Sequence, residues 1–306
     1  MNLEVTKYCA NGNDFLLYNG FTDVAIASES TQSGDLKDFS QIAKILCARH
    51  SGIGADGFVA VLPIDSSDLK DFAPKASEAL LDSQKLDSKK PVYKWSFYNA
   101  DGSKAAMCGN ASRCVGSFAY AQGIAGLNHS FLSRSGIVGI SIDPTNPLLV
   151  ESALGKCKFL DEVQEESIWG KQWFLLDSGV PHLVCFCEDL ALLPLPAGEN
   201  LARLKQLREK YNANVNIACV LERGKIAYAT FERGVEDVTL ACGSGAAAIL
   251  AQSYVLNLSE NSALLIPPSG EKLEVRVDSK LCGYLKGKVS RISDCRVDCR
   301  LFAQDS

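Results

Sequence analysis

The sequence predicts an α/β chain of two related lobes, and three observations carry that expectation. At 306 residues the chain has the length of two lobes of about 150 residues each. Strand-like and helix-like runs alternate along it, and a similar order recurs after about residue 150. Two cysteine–glycine pairs, Cys108–Gly109 and Cys242–Gly243, lie 134 residues apart, and each opens a small-residue, apolar, helix-like run. That spacing is too long for a solenoid repeat and suits a pair of related lobes.

Each element has its own signal. "LEVTKYCANGNDFLLYN" reads as strand, Asn/Gly turn, strand. "LKDFSQIAKILCARH" sets Phe39, Ile42, Ile45 and Leu46 at helical spacing. "SGIGADGFVAVLP" is a Gly-rich turn feeding a strand, and "PVYKWSFYNADGS" is a strand ending in a turn. Between them, the Ser-, Asp- and Lys-rich stretch near residues 64–90 reads as a surface insertion with room for a short helix. "RCVGSFAYAQG" predicts a helix closed by Gly123, with short strands through "SGIVGISID". The second half repeats the pattern. Strands in "WFLLDSG" and "HLVCFC" precede a helix in "ENLARLKQLREKY". Strands in "VNIACVLE" and "KIAYATFER" precede the second Cys–Gly turn and a helix in "AAAILAQSYVLN". The tail reads as strand, turn, strand.

Composition narrows the function classes. A formal charge of −5 and no long basic run give no electrostatic reason to expect nucleic acid. The start "MNLEVTKYCANGND" lacks a signal peptide's basic and apolar regions, and no run approaches the ~20 apolar residues that span a bilayer. The expectation is a cytoplasmic protein with no membrane partner. Twelve cysteines are about 4% of the chain, below the ~8–10% of a disulfide scaffold, so free thiols are expected. Cys185 and Cys187 alternate like strand core residues. Cys114, six residues after Cys108, falls near the opposite helix face and reads as core. His50, His129 and His182 lack metal-ligand spacing, "CRVDC" at Cys295–Cys299 has no second pair beside it, and no phosphate-binding glycine loop is present. No metal and no cofactor are expected.

The chemistry follows from the two helix starts. A helix N-terminus exposes unpaired N–H groups with partial positive charge, which stabilise a thiolate or a bound carboxylate. A cysteine there is expected to have its pKa drawn down from ~8.5 toward neutrality. Gly109 and Gly243 let the backbone approach a ligand. One such site suggests a nucleophile. Two suggest an acid and a base on opposite faces of one carbon, the requirement for inverting a stereocentre by proton transfer. The carboxylate cradle points to an α-amino acid as the small-molecule substrate. Taken singly, Asn13, Asn99 and Asn214 read equally as turn residues, Arg233 as a surface ion pair and His182 as a satisfied structural histidine.

With these residues in hand, the chain resembles the diaminopimelate epimerase family. Its signatures stand in order: "GNDF" at Gly12 to Phe15, "RHSGIGADG" at Arg49 to Gly57, "NADGSKAAMCGNASRC", "GVPH" at Gly179 to His182, "NVN" at Asn214 to Asn216, "ERG" at Glu232 to Gly234, and "LACGSGA" around Cys242. The resemblance implies a pyridoxal-phosphate-independent isomerase that interconverts LL- and meso-diaminopimelate on the route to lysine and peptidoglycan. It implies two pseudo-symmetric lobes of curved, mainly antiparallel strands around a central helix. The lobes would be residues 1–150, completed by a C-terminal strand at about 288–306, and residues 151–287. Cys108 and Cys242 match the catalytic acid–base pair, and His182 and Glu232 the polar residues that position them. Gly109, Asn110, Gly243 and Ser244 match positions that hold the reacting carboxylate and amino group. Asn13, Asn99, Asn214 and Arg233 match positions that read the distal end, where an arginine can grip a carboxylate. A homodimer is also implied.

Three positions depart from the family pattern. Val180 stands where an Asn contact is common, Val238 where many members have Glu, and Ala111 where Gly is frequent. Val180 keeps open a racemase of another amino acid, such as histidine or a proline derivative. A non-catalytic thiol-redox or metal-binding protein is the alternative from another class.

Overall fold

The computed structural model describes residues 2–22, 38–65, 68 and 90–303. Most of the polar insertion near 64–90 lies outside the described residues. The chain divides into two compact units, Met1–Val150 with Lys288–Ser306, and Glu151–Gly287.

The first unit carries β1 (Asn2–Ala10), β2 (Asn13–Asn19), α1 (Phe39–Cys47), β3 (Gly57–Leu62), β4 (Tyr93–Asn99), β5 (Lys104–Ala105), α2 (Gly109–Ala121), β6 (Asn128–Ser133) and β7 (Gly136–Asp143). The boundary falls within β8 (Asn146–Lys156). The second unit carries β9 (Lys158–Gln164), β10 (Gln172–Asp177), β11 (Pro181–Cys187), α3 (Leu201–Tyr211), β12 (Asn214–Glu222), β13 (Lys225–Phe231), α4 (Gly243–Val255), β14 (Ser262–Ile266), β15 (Leu273–Val277) and β16 (Cys282–Lys288). The last strand, β17 (Ser290–Asp298), returns to the first unit and pairs antiparallel with β1. The sequence reading passes over β8 and β9. β9 is exposed along nearly its whole length, so no alternating apolar pattern marks it.

Each of these four α-helices is a crossover. Parallel neighbours need a long connection, and antiparallel neighbours a short one. In the first unit β2 and β3 pair parallel across α1, and β4 and β6 across α2. In the second, β11 and β12 pair parallel across α3, and β13 and β14 across α4. Pairings between strands close in sequence, such as β1–β2, β3–β4, β6–β7, β10–β11, β12–β13 and β14–β15, are antiparallel. The β1–β2 hairpin turns at Asn11 (φ 50°) and Gly12 (φ 84°), the left-handed pair that a two-residue turn requires.

Helices on both sheet faces explain why β3, β11 and β12 read as continuous apolar runs. Within β2, Phe15 and Leu17 pack toward α2, while Leu16 and Tyr18 pack toward α1. Within β12, Val215 and Ile217 join the α3 cluster, and Ala218 joins the α4 cluster. Cys185 and Cys187 fall in the α3 core, and Cys114 in the α2 core. The period of two therefore assigns a whole set of polar residues to the α4 side. His182 precedes Leu183, Asn214 and Asn216 flank Val215, and Thr230 lies between Ala229 and Phe231.

α2 and α4 are each buried at ten of thirteen positions, and both approach the sheet through a glycine. A Cβ on Gly116 of α2 would lie 2.7 Å from Ile140 Cγ2, and one on Gly283 of β16 would lie 2.9 Å from Ala247 Cβ of α4. Such packing rejects added volume at about 1–3 kcal/mol per intruding group. Among the described residues no helix is long and apolar enough to cross a membrane.

Candidate active site

Cys108 and Cys242 are the N-cap residues of α2 and α4, both in extended backbone conformation. Gly109 and Gly243 are the first helical residues, Asn110 and Ser244 the second, Ala111 and Gly245 the third. The Cys108 carbonyl accepts from Ser112 N at 2.9 Å, and that of Cys242 from Ala246 N at 3.0 Å. Neither cysteine side chain caps its helix. The next two N–H groups are thus left to a ligand or solvent.

In the first unit the helix start is tied to the β1–β2 hairpin by amides and one guanidinium. Asn110 Nδ2 donates to Asn13 Oδ1 at 2.6 Å, and Asn13 Nδ2 donates to Asp56 Oδ2 at 3.3 Å. Arg113, with none of its surface exposed, donates through Nη2 to Asn110 Oδ1 at 2.5 Å and to Asn11 Oδ1 at 2.7 Å. Its Nε reaches the Gly109 carbonyl at 3.3 Å. Arg113 can only donate, so it holds the Asn110 oxygen toward itself and turns the NH₂ toward Asn13. Asn99 stands outside this network, donating to Ser103 Oγ at 3.0 Å. Cys108 itself is half-buried.

In the second unit the side chains under α4 converge on Cys242, which is 8% exposed. His182 Nε2 lies 3.0 Å from Ser244 Oγ, and Ser244 Oγ lies 3.6 Å from Cys242 Sγ. The Glu232 carboxylate is near enough to Cys242 to act on its charge, and it accepts from Thr239 Oγ1 at 2.6 Å. Asn214 Oδ1 accepts from the Arg233 backbone N–H at 2.9 Å. The Arg233 guanidinium is exposed and donates through Nη1 to the Asn212 carbonyl at 2.9 Å.

Electrostatics here correct one expectation. The helix start alone predicts a lowered thiol pKa, yet Cys242 is held well above its ordinary value. Burial is the largest cause and the Glu232 carboxylate the second, while the Ser244 hydroxyl and the Gly245 amide pull the other way. A helix terminus contributes at most about 2 kcal/mol, whereas full burial moves a group by up to about 3–5 pKa units, so desolvation wins. Burial likewise raises Glu232. His182 is pushed down to about 4 by burial and by the Arg233 charge, so its ring is neutral at pH 7.

The structure thus gathers Asn13, Gly109 and Asn110 around Cys108, and His182, Asn214, Glu232, Arg233, Gly243 and Ser244 around Cys242. Sequence reasoning missed Asn11, Arg113 and Asp56 in the first set, and Asn216, Thr230 and Thr239 in the second. Asn216 stood inside the quoted "NVN", two residues from Asn214 and therefore on the same strand face, a signal that was available. Val180 is 36% exposed, so its lack of a polar group leaves no buried partner unsatisfied. Val238 is buried against the α3 cluster and bridges Phe231, where an unpaired carboxylate would be costly. All twelve cysteines are free. Among the described residues no group of three His, Cys, Asp or Glu side chains is gathered as a metal site requires.

Comparison with known proteins adds an independent finding. A sequence profile of the family described as Diaminopimelate epimerase matches residues 5–160 and 174–292. A diaminopimelate epimerase of a Nitratiruptor species is 38% identical over 290 residues, covering 95% of this chain and 96% of its own length. One of Helicobacter pylori (strain ATCC 700392 / 26695) is 39% identical over 307 residues, covering 97% of each chain. Among solved structures, a hydroxyproline epimerase from Agrobacterium vitis aligns with a TM-score of 0.63 at 14% identity, over 97% of this chain and 92% of its own. At that identity the likeness concerns the two-lobe α/β fold alone.

Proposed function

We infer the chemistry of this chain from the premise that it belongs to the diaminopimelate epimerase family. It is a cofactor-independent isomerase of lysine biosynthesis that interconverts LL- and meso-diaminopimelate. That relationship over nearly the whole chain carries the activity; the roles of individual residues are our reading of the geometry.

Epimerisation removes the α-proton from one face of Cα and returns a proton to the other. We assign those transfers to Cys108 and Cys242. In the direction that uses Cys242 as the acid, Cys108 enters as thiolate, takes the α-proton, and Cys242 delivers its own to the opposite face. Burial and Glu232 favour the thiol form of Cys242 and suit it to that task. In the reverse direction Cys242 is the base, and the adjacent Glu232 carboxylate is placed to accept its proton before substrate turns over. The N–H groups at Gly109, Asn110, Gly243 and Ser244 offer the electrostatic cradle for the reacting carboxylate, whose charge grows as Cα loses its proton. Asn13, Asn99, Asn214 and Arg233 read the distal amino-acid end, with the exposed guanidinium as the carboxylate clamp.

The resemblance also supports a homodimer, checked by light scattering; a cytoplasmic location is proposed from the chain's composition and is checked by fractionation. The activity is tested by incubating the protein with LL-diaminopimelate in deuterated water. The α-proton exchanges and the meso isomer appears with the wild type, and both stop with Cys108→Ala or Cys242→Ala. Undiminished turnover by either variant would remove that sulfur from the mechanism, and no exchange by the wild type would remove the activity.

A further inference from the structure

His182 is fully buried, and each ring nitrogen has a polar neighbour. Nδ1 lies 3.1 Å from Asn216 Nδ2, and Nε2 lies 3.0 Å from Ser244 Oγ. A neutral imidazole carries one ring proton, and the nitrogen that holds it decides which neighbour receives a hydrogen bond.

Asn216 decides the matter. It is fully buried, and its Nδ2 lies 3.1 Å from the Leu183 carbonyl oxygen and 3.3 Å from that of Asn214. Carbonyl oxygens only accept, so the NH₂ must face them; a flipped amide would set Oδ1 against two oxygens. On its other side Oδ1 accepts from Thr230 Oγ1 at 2.8 Å. The amide so held shares its two hydrogens among these oxygens and Nδ1 of His182, and presents no acceptor to that nitrogen. A proton on Nδ1 would put two donors face to face, so the ring proton belongs on Nε2.

Nε2–H then donates to Ser244 Oγ. Its other neighbour, Asn214 Nδ2, lies 3.5 Å away, and that nitrogen has the Pro181 carbonyl to donate to at 3.4 Å. A hydroxyl that accepts from the imidazole keeps its own proton for the next acceptor, the Cys242 sulfur at 3.6 Å. The helix leaves room for the arrangement at its third residue. A Cβ on Gly245 would lie 2.5 Å from Asn216 Oδ1 and 2.9 Å from Thr230 Oγ1.

We infer that Asn216 is a positioning residue for this reaction, holding His182 in its Nε2–H form so that the Ser244 hydroxyl proton points at Cys242 and supports its thiolate. The inference rests on Cys242 being one of the two acid–base thiols. Asn216 acts through His182 rather than on the substrate.

Nitrogen-15 NMR of the full chain labelled at histidine tests it, with the His182 signals identified by their loss in His182→Gln. The wild type is expected to show His182 neutral and protonated on Nε2. In Asn216→Asp a carboxylate replaces the donor, so the ring proton moves to Nδ1. The Ser244 hydroxyl then turns to Nε2, and kcat falls by about 10- to 100-fold with KM nearly unchanged, the loss expected for one hydrogen bond to a charged sulfur. Should that variant not fold, Asn216→Ala serves, with the two ring forms becoming mixed. A wild-type His182 protonated on Nδ1 overturns the inference, as does a change of ring form that leaves kcat intact. Full turnover by Cys242→Ala would instead defeat the underlying assignment, whatever the ring form.

Discussion

The two Cys–Gly helices share one backbone device and surround it differently. Both α2 and α4 begin at a cysteine N-cap, continue with glycine and a small polar residue, and bury ten of thirteen positions. Around Cys108 the neighbours are amides held by the Arg113 guanidinium. Around Cys242 they are a carboxylate, a hydroxyl and a neutral imidazole. Since the helix-terminus field is common to both, the side chains beneath each start must set how its sulfur differs. On the mechanism proposed above, each copy of the lobe is equipped for its own half of a proton transfer.

The comparison breaks most readily at the sulfurs. Cys108→Ala and Cys242→Ala are each expected to lower kcat by about 10²–10⁴-fold, the usual weight of a general acid or base. Steady-state assays in both directions check this, and a loss confined to one variant would mean that only one lobe does chemistry.

The next effect is a pH dependence belonging to the second unit. His182 has a folded pKa of about 4 against 6.5 unfolded. Its stabilising contribution is complete above pH 6.5. It is lost as pH falls toward 4, because the unfolded chain binds a proton that the folded ring refuses. The loss reaches about 3 kcal/mol across that window. Urea melts from pH 7 to pH 4 should show it in the wild type and a flatter profile in His182→Gln; identical slopes would contradict the neutral ring.

In the first unit, Arg113→Met removes the guanidinium that donates to the Asn11 and Asn110 oxygens. The expected destabilisation is about 2–3 kcal/mol, with a raised KM as Asn110 loses its orientation. Arg113→Lys should recover part of the stability and less of the KM. A stability loss with KM unchanged would separate Arg113 from the substrate side.

The smallest contrast compares the third helix residue of each copy. Gly245→Ala drives a methyl into Asn216 and Thr230 and should cost about 1–3 kcal/mol together with much of the activity. Ala111→Gly should cost about 1 kcal/mol from helix propensity and leave turnover nearly intact. Equal effects would show that the two starts tolerate volume alike.

Much of this was legible in the chain itself. Strands covered on both faces leave continuous apolar runs such as "GFVAVL", and the paired Cys–Gly starts mark both helices. Arg113 was not legible. In "SRC" it reads as an ordinary helical cation, and it is buried because Asn11, 102 residues away, turns an amide toward it. The raised Cys242 pKa was missed for a related reason. A helix start is visible in sequence, whereas the depth of burial that outweighs it is a tertiary property. β9 escaped because it is largely exposed and carries no alternating pattern, and β8 because most of its positions are only part-buried and one of its two buried residues is Ser152.

The division of labour between the two sulfurs is tested most directly by following deuterium through the first turnovers of LL-diaminopimelate in deuterated water. Two separate acid–base groups predict that the meso product carries deuterium at the inverted carbon from the outset, while unreacted LL substrate stays protiated. Product that retains its original protium, or deuterium washing into recovered substrate as fast as product forms, would contradict the account.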